Sequence, residues 1–169
     1  MERKVTLTHI VFLLYLLIMA WIILFKTAFS MADVKMLVGE RSANFIPFYY
    51  DNEPNVRYHA KEIILNILIF VPFGVCLRML GNTLKKGAII AVISTIALEV
   101  VQFLFAIGRA DITDVLTNTF GAIVGLFLYL LAAKIFKNEK KLEKVTNIIA
   151  LVLLSIFIAL FVLLIIANS

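Results

Sequence analysis

Two short stretches of the chain carry polar side chains at spacings that place them on one face of a helix. Glu99 and Gln102 stand three residues apart, and Asp111, Asp114 and Asn118 follow at spacings of three and four. Residues at these spacings are neighbours on a helix surface. Carboxylates in such an arrangement could act as a general base or hold Mg²⁺, whereas carboxamides suit hydrogen bonds to sugar or amide groups.

Further polar residues extend this set. Glu62 and Asn66 stand four residues apart and form a pair on a single helical face. Thr95 continues the face of Glu99 by one turn in the other direction. Arg109 lies between the two stretches, and its guanidinium matches a phosphate or a carboxylate.

Long apolar segments must position these residues. The chain has 169 residues, 63% of them hydrophobic, and a mean hydropathy of +1.03, which lies outside the range of soluble globular domains. Five segments are each near the length that crosses a hydrocarbon layer of about 30 Å. We therefore predict an all-α, polytopic membrane helix bundle, one domain over 1–169, with an uncleaved first helix. The predicted helices span residues 10–25, 63–80, 87–107, 115–136 and 145–167.

The distribution of Lys and Arg predicts the orientation of the bundle. A cytoplasmic amino terminus places ten of the sixteen basic residues inside, in agreement with the positive-inside rule. These ten are Arg3, Lys4, Arg78, Lys85, Lys86, Lys134, Lys137, Lys140, Lys141 and Lys144. The carboxyl terminus is then extracytoplasmic, and the expected location is a cell membrane.

In this orientation, the polar residues within the segments all fall toward the outer face. They are Asn66, Glu99, Gln102 and Asn118. An ionised glutamate at the bilayer centre would cost about 2.5–3.5 kcal/mol, so Glu99 is expected to face the protein interior or a wet cavity. Segments one and five carry no ionisable residues and are expected to serve as scaffold. The convergence on segments two, three and four predicts a polar pocket that opens outward.

An aromatic outer loop stands between segments one and two, where residues 44–50 include Pro47 and Phe48. Such residues favour the headgroup zone. The loop is interpreted either as a re-entrant or amphipathic segment at the interface, or as a lip that grips an amphipathic ligand.

Proline and small residues predict how the helices pack. Pro72 removes a backbone donor within segment two and predicts a kink or a wider opening there. Gly74 favours close packing. Gly121 and Gly125 form a GxxxG pair, which predicts that segment four packs centrally and leaves a homodimer through this face possible.

Several classes of function are disfavoured by composition. Cys76 is the single cysteine, which excludes an internal disulfide and a thiolate-rich metal site. The net charge of +5 is dispersed among short loops, so we expect no nucleic acid partner.

The residues quoted so far resemble the VanZ-like family, small bacterial membrane proteins associated with low-level resistance to teicoplanin and related lipoglycopeptides. The resemblance covers about residues 44–129. It rests on Asn44-x-Ile46-Pro47-Phe48, on residues 66–74, on Glu99-x-x-Gln102, and on Arg109 followed by Asp111, Asp114, Asn118 and Gly121. The resemblance implies a location in a bacterial cell membrane and a resistance phenotype, and it names no biochemical reaction.

The leading hypothesis is a binding protein whose outward pocket engages a lipoglycopeptide or an envelope lipid intermediate. Arg109 would meet a phosphate or carboxylate, and Pro47, Phe48 and Pro72 would shape the entrance. The complete set of candidate binding residues is Asn44, Pro47, Phe48, Asn66, Pro72, Glu99, Gln102, Arg109, Asp111, Asp114 and Asn118. No cofactor is predicted for this function.

Three alternatives remain open. The first is an enzyme acting on an envelope lipid or lipid phosphate, with Glu99 as base and Asp111 and Asp114 holding Mg²⁺. The second is a transporter or assembly partner. The third is purely structural: Glu99 paired with Arg109 would fasten segments two, three and four together.

Overall fold

The computed structural model describes residues 7–25, 39, 41–49 and 56–167. Its five helices are each long and apolar enough to cross a membrane, which confirms the predicted all-α membrane bundle. The helices are α1 Leu7–Phe25, α2 Val56–Met79, α3 Leu84–Phe105, α4 Ile112–Phe136 and α5 Glu139–Ala167.

All five helices begin earlier than predicted, and the largest differences are in α2 and α5. α2 starts at residue 56 rather than 63, and α5 starts at residue 139 rather than 145. Both added stretches contain charged residues, for example Glu62 and Glu143. Hydropathy ends a predicted segment at the first charges, whereas the backbone hydrogen bonds of a helix continue into the polar zone.

The bundle has two chemically different ends. At one end, which we name the strand end, β1 Ser42–Asn44 pairs in parallel with β2 Arg109–Asp111. At the other, the basic end, short connections join α2 to α3 and α4 to α5. The basic end carries Arg78, Lys85, Lys86, Lys134, Lys137, Lys140 and Lys141. Arg3, Lys4, Lys26 and Lys35, which also bear on orientation, lie outside the described residues.

The centre of the fold is the pair α2 and α4, which make the most extensive helix contact in the described chain. A Cβ atom added at Gly74 of α2 would overlap the carbonyl oxygen of Ala122. Cβ atoms at Gly121 and Gly125 of α4 would likewise overlap carbonyl oxygens of α2. The two backbones therefore touch directly, as small residues permit in membrane helix pairs. The GxxxG face is filled from within the chain, so a homodimer would need another surface.

A sharp reversal joins α3 to α4 at the strand end. α3 ends where Ala106 takes a left-handed conformation with φ 54°, and Gly108 follows with φ 110°. The chain then passes through β2, and the side chain of Asp111 caps α4 by accepting from the backbone N–H of Thr113. This reversal returns Asp111 to the depth of Glu99. α2 continues without interruption through Pro72.

Candidate functional site

A hydrogen-bond chain at the strand end joins three separate parts of the sequence. The backbone N–H of Asp111 donates to Oε2 of Glu99 at 2.8 Å. Oδ1 of Asp111 accepts from the backbone of Thr113 at 2.7 Å, and Oδ2 accepts from Nδ2 of Asn44 at 2.9 Å. Glu99 and Asn44 are only 6% and 4% exposed. α3, α4 and β1 are thus tied through one buried polar centre.

Asn44 also shapes the aromatic loop. Its Nδ2 donates to the carbonyls of Ile46 and Tyr49, and its Oδ1 accepts from the backbone N–H of Ile46. The backbone N–H of Phe48 donates to Oγ1 of Thr113 at 3.0 Å. Over the described residues, the loop is therefore a strand followed by a tight turn, and its placement at the membrane interface stays a prediction. Tyr50 lies outside the described residues.

The apolar side chains of this turn point away from the polar centre. Phe45 is 83% exposed, Ile46 58% and Phe48 55%. Pro47 stands between them within the turn. A rigid backbone thus presents a cluster of apolar groups beside the strand end, which we name the aromatic tip, residues 45–49.

α2 joins the same end of the bundle. Nδ2 of Asn66 donates to Oδ1 of Asp114 at 2.7 Å, one turn below the cap of α4. Above it, Nδ1 of His59 lies 3.7 Å from Oε2 of Glu62. His59 is absent from the sequence-based candidates, although its i,i+3 spacing from Glu62 was a readable signal.

The predicted polar face of α3 is buried along its length. Thr95, Glu99 and Gln102 are all buried, with Thr95 accepting from Nδ2 of Asn118 at 3.0 Å. Nε2 of Gln102 donates to the backbone carbonyl of Ile23 at 3.1 Å, which attaches α1. Among the described residues, the amide oxygens Oε1 of Gln102 and Oδ1 of Asn118 have no hydrogen-bond donor. The interior of the strand end therefore holds acceptor capacity that the described protein groups leave unused.

The polar side chains that make these bonds are together named the strand-end network: Asn44, Asn66, Thr95, Glu99, Gln102, Asp111, Thr113, Asp114 and Asn118. Arg109 lies beside it in β2 and is partly buried. Pro72 is a candidate that the fold places elsewhere, since it lines a groove toward α1 and α5. Gly74, Gly121 and Gly125 serve the α2–α4 contact.

A second polar network lies at the basic end and was not predicted. Oγ1 of Thr8 donates to Oε1 of Glu143 at 2.6 Å and accepts from Nδ2 of Asn147 at 3.0 Å. Thr8 and Asn147 are 3% and 4% exposed. The expectation that buried polar residues gather at one face is therefore wrong, because Asn147 lies within segment five at the opposite end. α1 and α5 are joined by polar groups here rather than being purely apolar scaffold.

The carboxylates considered for Mg²⁺ bind protein donors in this structure. Both side-chain oxygens of Asp111 accept hydrogen bonds, and Asp114 accepts from Asn66. Over the part of the chain that the structure describes, no three His, Cys, Asp or Glu side chains gather as a metal site.

Comparison with known proteins fits this architecture. The family model of VanZ/LLP1 matches residues 12–136, which is most of the chain. The chain belongs to the VanZ/LLP1 family. It is also 39% identical over 144 residues to Protein VanZ of Enterococcus faecium, a match that covers 83% of this chain and 84% of that protein. No solved structure matches the chain.

The VanZ/LLP1 match covers the strand-end network and none of the three residues of the basic-end network. Every residue of the strand-end network falls within residues 12–136, together with Arg109 and the aromatic tip. Thr8, Glu143 and Asn147 of the basic-end network fall outside that range. The matched range therefore contains the whole strand-end network, together with the α2–α3 connection at the basic end.

Proposed function

We propose that this protein lowers susceptibility to teicoplanin-type glycopeptide antibiotics by engaging an amphiphile at the strand end of the bundle. The amphiphile is a lipoglycopeptide or an envelope lipid intermediate. The observation that carries the proposal is the pairing of a buried polar network with an exposed aromatic tip. Membership of the VanZ/LLP1 family supports the antibiotic context.

The aromatic tip suits the apolar part of such a ligand. Phe45, Ile46 and Phe48 are each more than half exposed, yet Asn44 and Thr113 hold the backbone beneath them. Exposed aromatic groups on a fixed backbone bind with little loss of conformational entropy.

Polar groups suited to the other part of the ligand lie next to the tip. Arg109 in β2 is placed beside Asp111 and offers a planar donor set for a phosphate or carboxylate. The amide oxygens of Gln102 and Asn118 have no hydrogen-bond donor among the described residues, but their side chains are 1% and 0% exposed and take no part in the proposed contact. A headgroup that carries an anion fits the guanidinium of Arg109.

The strand end must face outward for this function. Seven Lys and Arg residues lie at the basic end, in its connections and the adjoining helix turns, and regions rich in Lys and Arg remain in the cytoplasm. With the basic end in the cytoplasm, the aromatic tip lies at the extracytoplasmic surface of the cell membrane, where a glycopeptide arrives.

The test separates ligand binding from simple fastening of helices. Glu99→Gln keeps an oxygen that can accept from the Asp111 backbone but removes the carboxylate charge, whereas Glu99→Leu removes both. Arg109→Ala removes the proposed anion contact. We expect Glu99→Gln and Arg109→Ala to fold, to reach the membrane at wild-type levels, and to lose the protection against teicoplanin in a susceptible host.

The matched control is Ile135→Ala, which trims a side chain that is 77% exposed at the basic end and should leave protection intact. If Glu99→Gln and Arg109→Ala protect as well as the wild type while Glu99→Leu fails to accumulate, the strand-end network only fastens helices and the proposal is wrong.

A further inference from the structure

A groove in the membrane-spanning part of the fold separates α5 from α1 and α2. It has a volume of about 230 Å³. Tyr15 and Ile18 of α1, Pro72 and Cys76 of α2, and Phe157 of α5 form much of its wall. Ile18 and Phe157 also border a second groove between α1 and α5, so the two helices are separated over an extended stretch.

This groove is independent of the strand-end network. At 100° per residue, Ile69, Pro72 and Cys76 lie on the face of α2 opposite to Ile67, Val71 and Gly74. Ile67, Val71 and Gly74 contact α4. Ile69, Pro72 and Cys76 line the groove. α2 thus stands between the groove and α4, the helix that carries Asp114 and Asn118.

Contacts at both ends keep the groove from collapsing. At the basic end, Thr8 bonds to Glu143 and Asn147. Toward the strand end, the rings of Trp21 and Phe161 meet edge to face with centroids 6.1 Å apart. From Thr8 to Trp21 the axis of α1 rises about 20 Å. α5 therefore stands against α1 at two points with an open interval between them.

The wall of the groove is suited to hydrocarbon and not to water. Tyr15 and Cys76 carry the polar side-chain atoms of the wall, and the hydroxyl of Tyr15 donates to the backbone carbonyl of Ile69. A buried water needs two to four polar partners, and apolar cavities stay dry. An empty gap would forfeit dispersion contacts on both sides. In a bilayer, hydrocarbon is the medium that fills it.

The dimensions select a single chain rather than a larger group. Pockets that bury a whole drug-sized ligand have about 300–1,000 Å³, which is more than this groove offers. A helix of a second protein, about 10 Å across, could not enter between two points where α1 and α5 already touch. We propose that the groove between α1, α2 and α5 binds one hydrocarbon chain of a membrane lipid, which fills the space between α5 and the rest of the bundle.

Native mass spectrometry of the purified protein with added phosphatidylglycerol tests this directly. Ala150 lines the groove on α5, so Ala150→Trp fills it with an indole. Val152 on the same helix is 52% exposed and lines neither groove, so Val152→Trp is the matched control. The wild type and Val152→Trp should each retain one more lipid per protein than Ala150→Trp. Equal lipid retention by all three proteins contradicts the proposal.

A second measurement needs no substitution. Cys76 is the single cysteine of the chain and lies in the wall, where it is 6% exposed. Its slow alkylation by a small maleimide, followed at alkaline pH where more of the thiol is ionised, therefore reports on the groove alone. With phosphatidylglycerol at about ten times its dissociation constant, mass action predicts that the alkylation rate falls about tenfold. An unchanged rate, or protection that depends on protein concentration and so indicates a second copy, overturns the proposal. Neither readout depends on teicoplanin, so the proposed function stands or falls separately.

Discussion

Two helix pairs in this bundle are joined in opposite ways. α2 and α4 meet backbone to backbone through Gly74, Gly121 and Gly125, with carbonyl oxygens at the positions that side chains would take. α1 and α5 meet through side chains near their ends, with a groove between the contacts. The first pair excludes anything between its helices, whereas the second leaves room for a hydrocarbon chain.

The difference explains where each polar network stands. The strand-end network is anchored on α2 and α4 by Asn66 and Asp114, so its geometry is set by helices that cannot slide without backbone overlap. The basic-end network connects α5 to α1. α5 buries little of its surface in the bundle. A binding site needs the first kind of support, because a rigid scaffold keeps functional groups in place.

The largest expected effect comes from the glycines of the α2–α4 pair. Gly125→Ala puts a methyl group against the carbonyl of Val71, and backbone cannot yield as a flexible side chain can. Overpacking of this kind typically costs about 1–3 kcal/mol, and more where backbone must move. We expect a large loss of thermal stability in detergent and reduced accumulation in the membrane.

Gly87→Ala is the control for that substitution. Its added methyl would meet the end of the Leu126 side chain, 2.7 Å away, which can change rotamer. Alanine also gains about 0.5–1 kcal/mol over glycine inside a helix. The stability of Gly87→Ala should therefore stay near that of the wild type. Equal losses at positions 87 and 125 would show that α2 and α4 are not in backbone contact.

The helix bundle and the polar face of α3 could be predicted from local patterns. Hydropathy locates five spans, and the three- and four-residue spacings of Thr95, Glu99 and Gln102 place them on one face, which is buried in the structure. These features depend on residues close in sequence. The N-cap of α4 follows from the same kind of signal, since aspartate before an apolar run favours a helix start.

Contacts between distant residues could not be predicted in this way. β1 pairs with β2 across more than sixty positions, and three-residue strands carry too little alternation to be recognised. Asn147 was missed because one carboxamide barely lowers the hydropathy of a long apolar segment. Its partner Thr8 lies at the far end of the chain, and only the fold brings the two together.

The next effect in size concerns the bond between Asn44 and Asp111. Asp111→Ala removes the N-cap of α4, which lowers the free energy of unfolding by about 0.5–2 kcal/mol. It also removes the hydrogen bond to Asn44. Asn44→Ala releases the turn beneath the aromatic tip. Because the two side chains contact each other, the double variant should lose less stability than the sum of the single variants, by about 1 kcal/mol or more.

Chemical unfolding of the four proteins in mixed micelles measures that coupling, and limited proteolysis within residues 45–49 reports on the turn. Asp111→Asn is the control, since its amide oxygen can still accept from Thr113. Strictly additive losses would mean that the tip is held independently of α4.

The smallest effect is expected at the basic end. Asn147→Leu removes the amide that donates to Thr8. Hydrogen bonds between membrane helices average about 0.6 kcal/mol and reach about 1.7 kcal/mol. α5 should therefore loosen without unfolding the bundle. Hydrogen exchange should rise in α5 and in the first turns of α1, with α2 and α4 unchanged.

Ser155→Ala is the control, because the hydroxyl of Ser155 bonds only within its own helix, to the carbonyl of Leu151. If exchange rises equally in α2 and α4, the two helix pairs form a single cooperative unit, and the distinction between a rigid pair and a loosely joined pair fails.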